Sequence, residues 1–239
     1  MRKFIIASII SATLFSCKEA QKPSQVETEP NVVPANSEWI DLFDGTSTDA
    51  WKGWKKDKIG AAWSIQENGD LMFDPTVEDR GDIITKESFE NFEFHLDWKI
   101  SDCGNSGIMY NVQESDEYHA PYSTGPEMQI LDNTCHPDGK IVTHRAGDLY
   151  DMIETSEVSV KPAGEWNSII IKSKDARYEF WQNGVKVVEF QMHNDTWNAL
   201  VADSKFKDWE GFGAFRSGHI ALQDHGDQIW FRNIKIKTL

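Results

Sequence analysis

The sequence predicts an all-β protein, a two-sheet antiparallel sandwich or jelly roll. Three observations carry that reading. Short apolar runs alternate with period two: in FEFHLDWKI, Phe92, Phe94, Leu96, Trp98 and Ile100 share one face, and Glu93, His95, Asp97 and Lys99 the other. The dipeptide Asn183-Gly184 joins two such runs, 177–182 and 185–191, as a hairpin turn does. Helical periodicity is nearly absent, and only residues 195–207 (DTWNALVADSKFK) read as a short helix. The remaining strand-like runs are 63–66, 70–73, 83–85, 92–100, 107–112, 127–131, 166–173, 219–223 and 229–237. Many strands with long loops between some of them suit two packed sheets, and no internal repeat interrupts the pattern.

Ahead of this pattern lies an address. Arg2 and Lys3 precede an apolar run, residues 4–15, that is too short to span a bilayer. It ends in Leu14-Phe15-Ser16-Cys17, which resembles a bacterial lipoprotein signal with a bulky Phe15. The expectation is a signal peptide over 1–17 and lipidation of Cys17; an ordinary signal with a coincidental cysteine is the alternative. Residues 18–37, polar and with three prolines, read as a flexible tether, and residues 38–239 as a single domain. Such a protein sits in the cell envelope, lipid-anchored at the periplasmic or outer surface. Its net charge of −15, without a Lys/Arg cluster, does not suit nucleic acid or an anionic membrane surface. Cys103 and Cys135 are open to a disulfide, two free thiols or a ligand role. No Cys-x-x-Cys and no close His pair supports zinc.

Residues 125–153 (GPEMQILDNTCHPDGKIVTHRAGDLYDMI) concentrate titratable side chains beyond what a turn needs. On the strand-like EMQIL, Glu127 and Gln129 share a face and Met128 and Ile130 the other. Gln223 and His225 share a face if their strand continues through Asp224; a turn over 224–227 is the alternative. Asn105 and Asn111 lie on one parity beside Gly107, whose missing side chain leaves room for a ligand. Trp209, in a glycine-flexed loop, is placed either to stack on a sugar or to pack in the core. His95, His119 and His193 receive no role.

Four runs in register resemble the 3-keto-disaccharide hydrolase domain family. They are Ile40-Asp41-Leu42-Phe43-Asp44-Gly45 with Trp51 and Trp54; Asn105-Ser106-Gly107-Ile108; Glu127 to Asp132; and Gly218 to Gly226 with Phe231-Arg232-Asn233-Ile234. The resemblance covers the chain from about residue 38 onward. It implies a concanavalin A-like lectin/glucanase sandwich acting on glycosides oxidised to the ketone at carbon 3, by hydrolysis or by 1,2-elimination followed by hydration.

Glucanases of this fold carry two carboxylates on one strand, and here Gln129 and Leu131 stand where the second would fall. A 3-keto sugar needs less, because its ketone acidifies the proton at carbon 2. The expected roles are His144 as base, Asp148 orienting it, and Glu127 or His225 assisting the leaving oxygen. Arg145 or one divalent cation, Mn²⁺ or Ca²⁺, holds the enolate. Gln129, Asn105, Asn111, Gln223 and Trp209 contact the carbohydrate substrate. The competing class is a non-catalytic carbohydrate-binding, lectin-like module. It requires aromatic platforms and hydrogen bonds but no histidine beside an acid.

Overall fold

The computed structural model describes residues 32–239; the expected signal sequence, Cys17 and most of the expected tether lie outside the described residues. Two antiparallel sheets face each other. With strands numbered in chain order, the larger runs β11 (Val185–Gln191), β10 (Arg177–Gln182), β9 (Asn167–Lys174), β6 (Phe92–Ile100), β13 (Ile229–Thr238), β4 (Leu71–Phe73), β3 (Trp63–Ile65). In that sheet β1 (Ile40–Phe43) also pairs with β13, beyond the stretch that β4 occupies. The smaller sheet runs β2 (Trp51–Gly53), β5 (Ile83–Thr85), β12 (His219–Leu222), β7 (Asn105–Val112), β8 (Glu127–Leu131).

The period-two pattern of β6 is realised residue by residue: Phe92, Phe94, Leu96, Trp98 and Ile100 are buried and the residues between them half-buried. This apolar face meets Ile108, Tyr110, Met128, Ile130, Ile220 and Leu222 of the smaller sheet in one core. Across it Tyr110 stacks on Tyr178 with ring centroids 4.7 Å apart.

In β7 and β8 every residue is buried, so the alternation stops there. One face of these strands looks into the core, and loops cover the other. Ile84, Met109, Val112 and Ala221 form a second apolar cluster with Trp54 and Tyr122. The cover on that outer face is where polar side chains gather.

Several expectations are revised. β1 and β2 are strands, although their runs are too short to show alternation. The helix α1 (Asp195–Asp203) starts where Asn194 Oδ1 accepts the Trp197 N–H at 2.8 Å, and it stops before Ser204, whose Oγ donates to Val201 O. Residues 32–37, placed in the tether by sequence, lie along the domain. Val32 bridges Ser88, and Thr238 Oγ1 accepts the Asn36 N–H and donates to Pro34 O.

Of the alternatives for the cysteines, the structure has the disulfide Cys103–Cys135, which joins the approach to β7 to the turn after β8. It closes a loop of 32 residues that contains both strands. Replacing both cysteines by alanine is therefore expected to lower the unfolding free energy by about 3 kcal/mol. Chemical denaturation of the oxidised protein and the double variant checks this.

Candidate active site

The outer face of the smaller sheet holds a cavity of about 190 Å³. Its floor is Asn105 of β7, Glu127 and Gln129 of β8, and Gln223 just after β12. His225 stands at one side. Tyr122 comes from a 3-10 turn, Pro121–Ser123, and Tyr150, Lys205, Phe206 and Trp209 come from loops.

Glu127 is held by its neighbours. A methyl group built on Gly107 would lie 1.7 Å from Glu127 Oε1, so the space over this glycine is filled by the carboxyl and is not left for a ligand. Gln129 Nε2 donates to Glu127 Oε1 at 3.1 Å and to Ser106 O at 3.0 Å, in the amide orientation that satisfies both ends of the side chain. Burial disfavours the charged form and pushes the Glu127 carboxyl up to about 8, a shift that Asp82 adds to and Lys205 opposes. At neutral pH the group is mainly a neutral acid.

The segment after Ala146 extends the sheet past its edge. Gly147 N–H donates to Gln129 O, Gln129 N–H to Asp148 O, and Tyr150 N–H to Glu127 O, at 2.8, 3.1 and 3.0 Å. These bonds set Tyr150 beside Glu127. Lys205 Nζ lies 4.0 Å from the centroid of the Tyr150 ring, and its amine is held below its ordinary value by burial. The roof over residues 204–213 is stiffened by Phe206 stacked on Phe212 at 3.8 Å, with Trp209 edge-on to Phe206 at 5.2 Å.

His225 sits in a turn, the alternative weighed from sequence, and still faces the cavity. Asp224 fixes that turn: its carboxylate accepts Arg80 Nε at 2.9 Å and the Gly226 N–H at 3.0 Å, and its own N–H donates to Asp82 Oδ1 at 2.8 Å. Burial holds the His225 imidazole below its ordinary value, so it is neutral at pH 7. Asn105 Nδ2 lies 3.5 Å from His225 Nε2. At 3.5 Å that contact is too long to fix the tautomer, and the neutral imidazole keeps one unprotonated, basic nitrogen. Asn105 Oδ1 and Gln223 Oε1 are buried without a partner, two acceptors suited to sugar hydroxyls.

The structure separates the remaining sequence candidates from this cavity. His144 Nε2 donates to Asp151 Oδ1 at 2.9 Å, and its ring packs 4.4 Å from that of Tyr150, behind the cavity wall. Asp148 does not orient it: its carboxylate accepts the Arg145 and Thr155 N–H groups at 2.6 and 2.7 Å. Arg145 Nε donates to Gly139 O, outside the cavity. Asn111 has φ +56°, which breaks the strand parity, and its amide donates to Tyr178 OH and Phe215 O in the interior. Asp151 Oδ2 accepts the Lys205 N–H at 2.8 Å, so His144 and Asp151 anchor the roof loop.

Tyr122, Tyr150, Lys205 and Phe206 were not singled out from sequence. The Lys205 loop reads as the end of a helix, and only the cover over β7 and β8 brings it to Glu127. No three His, Cys, Asp or Glu side chains gather to hold a metal among the described residues. Asp132, Asp148 and Asp151 spend their oxygens on N–H and hydroxyl donors of neighbouring loops.

A buried neutral carboxyl and a basic imidazole, walled by aromatic rings on a lectin-like sandwich, define a glycoside-cleaving enzyme. The chain belongs to the 3-keto-α-glucoside-1,2-lyase-like domain family, whose pattern matches residues 38–237. It is 36% identical to a 3-keto-disaccharide hydrolase of Bacteroides thetaiotaomicron, over 84% of this chain and 78% of that one. A crystal structure from Parabacteroides distasonis assigned as a glycosyl hydrolase superposes with a TM-score of 0.78 at 31% identity, covering 88% of this chain and all of that one. A Bacillus subtilis protein with a galectin-like fold, 10% identical with a TM-score of 0.54 over 86% of this chain and 96% of its own, shares the sandwich alone.

The seat of Glu127 gives two expectations. Gly107→Ala forces the carboxyl off its seat and is expected to lower kcat/KM by about 10² while the far-UV spectrum stays β-type. Between the ordinary value of 4.5 and about 8, folded Glu127 keeps a proton that the unfolded chain releases. Its contribution to stability is therefore full below the lower value and is lost as pH rises through the upper one. Glu127→Gln is expected to flatten this part of the stability–pH curve, measured by denaturation between pH 5 and 9.

Proposed function

We propose that the protein cleaves glycosides already oxidised to the ketone at carbon 3, by elimination across carbons 1 and 2 followed by hydration. The observation that carries this reading is the identity of the titrating groups. Glu127 is the one carboxyl lining the cavity among the described residues. A double displacement needs a carboxyl pair about 5 Å apart. A carbon acid beside a ketone needs one base, one acid and a cation near the developing oxyanion.

The chain supplies these. The unprotonated ring nitrogen of neutral His225 takes the proton from carbon 2. Negative charge then spreads to the ketone oxygen, where the Lys205 ammonium stabilises it. As the bond from carbon 1 to the aglycone oxygen breaks, the neutral Glu127 carboxyl protonates the departing oxygen. Water adds to the resulting enone in the second half-reaction. Asn105 Oδ1 and Gln223 Oε1 accept sugar hydroxyls, and Trp209 and Tyr122 offer flat faces to the ring.

His144 acts in this scheme as a positioning residue for the Tyr150 wall and the Lys205 loop, not as the base. The expected location is the cell envelope, by a lipid on Cys17. The basic and apolar segments ahead of that cysteine support it, and mass spectrometry of the mature N-terminus tests it.

Purified protein is expected to cleave a 3-keto glucoside and to leave the unoxidised glucoside intact. Equal rates on both would contradict the proposal, and a loss of activity on chelation would bring the expected divalent cation back into the reaction. Glu127→Gln and His225→Ala are each expected to lower kcat by about 10²–10⁴, and His144→Ala by much less. The pH profile of kcat/KM is expected to be a bell. It rises as His225 loses its proton, below the usual imidazole range, and falls as Glu127 loses its proton near 8. Glu127→Gln is expected to remove the alkaline limb.

A further inference from the structure

The cavity holding Glu127 is about the volume of one sugar ring, and Trp209 forms one of its walls. The same Trp209 also lines a second cleft of about 350 Å³. Glu117, Tyr118, His119 and Ser123 on the approach to β8 line it from one side, and Glu210 with Gly211 from the roof loop. An aromatic rail joins the two spaces: Trp209 to Tyr122 at 5.9 Å, then Tyr122 to His119 at 5.3 Å. Tyr118 lies directly against Gly211, where an added methyl would come within 2.6 Å of its ring, so the glycine lets this ring approach the loop closely.

We propose that this second cleft is the subsite for the leaving group, that it takes a second sugar ring on the Trp209 and Tyr118 faces, and that it selects neutral aglycones against anionic ones. The inference rests on the reading that the Glu127 cavity holds the oxidised ring. With the oxidised ring in that cavity and Glu127 on its floor, the leaving group extends outward from it, and Trp209 is the wall that the cavity shares with the second cleft. The aromatic faces there suit a pyranose ring. Glu117 and Glu210 bring like charge to any carboxylate or phosphate on that ring. Burial, and after it the charges of Glu117 and Glu210, holds the Tyr118 hydroxyl above its ordinary value. No lysine or arginine lines the cleft to offset them among the described residues; its one imidazole is His119.

Binding can be read apart from chemistry with unoxidised ligands. Isothermal titration would compare a neutral glucosyl disaccharide, methyl glucoside, and the disaccharide whose second ring is a uronate. The neutral disaccharide is expected to bind about tenfold tighter than the methyl glycoside, the worth of one stacked ring. Tyr118→Ala is expected to erase that gap while leaving methyl glucoside binding unchanged. Glu117→Gln/Glu210→Gln, which alters no packing face, is expected to bring the uronate ligand up to the neutral one. Equal binding of disaccharide and methyl glucoside by the wild type, including no binding of either, would overturn the subsite. So would a gap that survives Tyr118→Ala, or a uronate penalty unchanged in the double variant. If these preferences hold but no 3-keto substrate is cleaved, the chemistry above fails and the subsite stands.

Discussion

The seat of one carboxyl over one glycine governs the rest of this structure. Glu127 belongs to β8, the last strand of its sheet, and its side chain folds back over Gly107 of the neighbouring strand. Any other residue at 107 would fill that space. Burial there makes the carboxyl a neutral acid at the pH where most carboxyls are charged. The burial in turn requires a cover, and the loops over β7 and β8 exist in the form they do because they must close over a polar face. Tyr150 is set by backbone bonds to β8 itself. Lys205 is carried in on a roof held by stacked aromatic rings and tied down through Asp151.

Much of the fold was legible because it rests on local alternation. β6 shows it without exception, and the Asn183-Gly184 turn falls between β10 and β11 as expected. β1 and β2 are too short to show a period, and their pairing comes from partners far along the chain. On the strands, the site was legible where the pleat stayed regular; off them, His225 in its turn and Trp209 in its loop also reach the cavity. Glu127 and Gln129 share a face and both reach the cavity. Asn111 fails the same argument because a left-handed backbone turns it into the core.

The loop residues show why the rest was hidden. His144, Arg145 and Asp148 form a suggestive run of acid, base and cation, yet their side chains are occupied in holding loops together. Loops need such polar contacts to satisfy their backbone groups, and composition cannot distinguish that use from catalysis. Lys205 and Tyr150 lie 55 positions apart in the sequence and meet at 4.0 Å. Nothing in the spacing of either reveals the meeting.

The proposed cleavage requires Glu127 to be protonated at neutral pH, with the one acid matched to one base. Carbon-13 NMR of the glutamate side-chain carboxyls, with Glu127→Gln to assign the resonance, follows that proton directly. The Glu127 resonance is expected to titrate near pH 8, well above the ordinary 4.5. A titration at the ordinary value would contradict it, because Glu127 would then be charged when the leaving oxygen needs its proton.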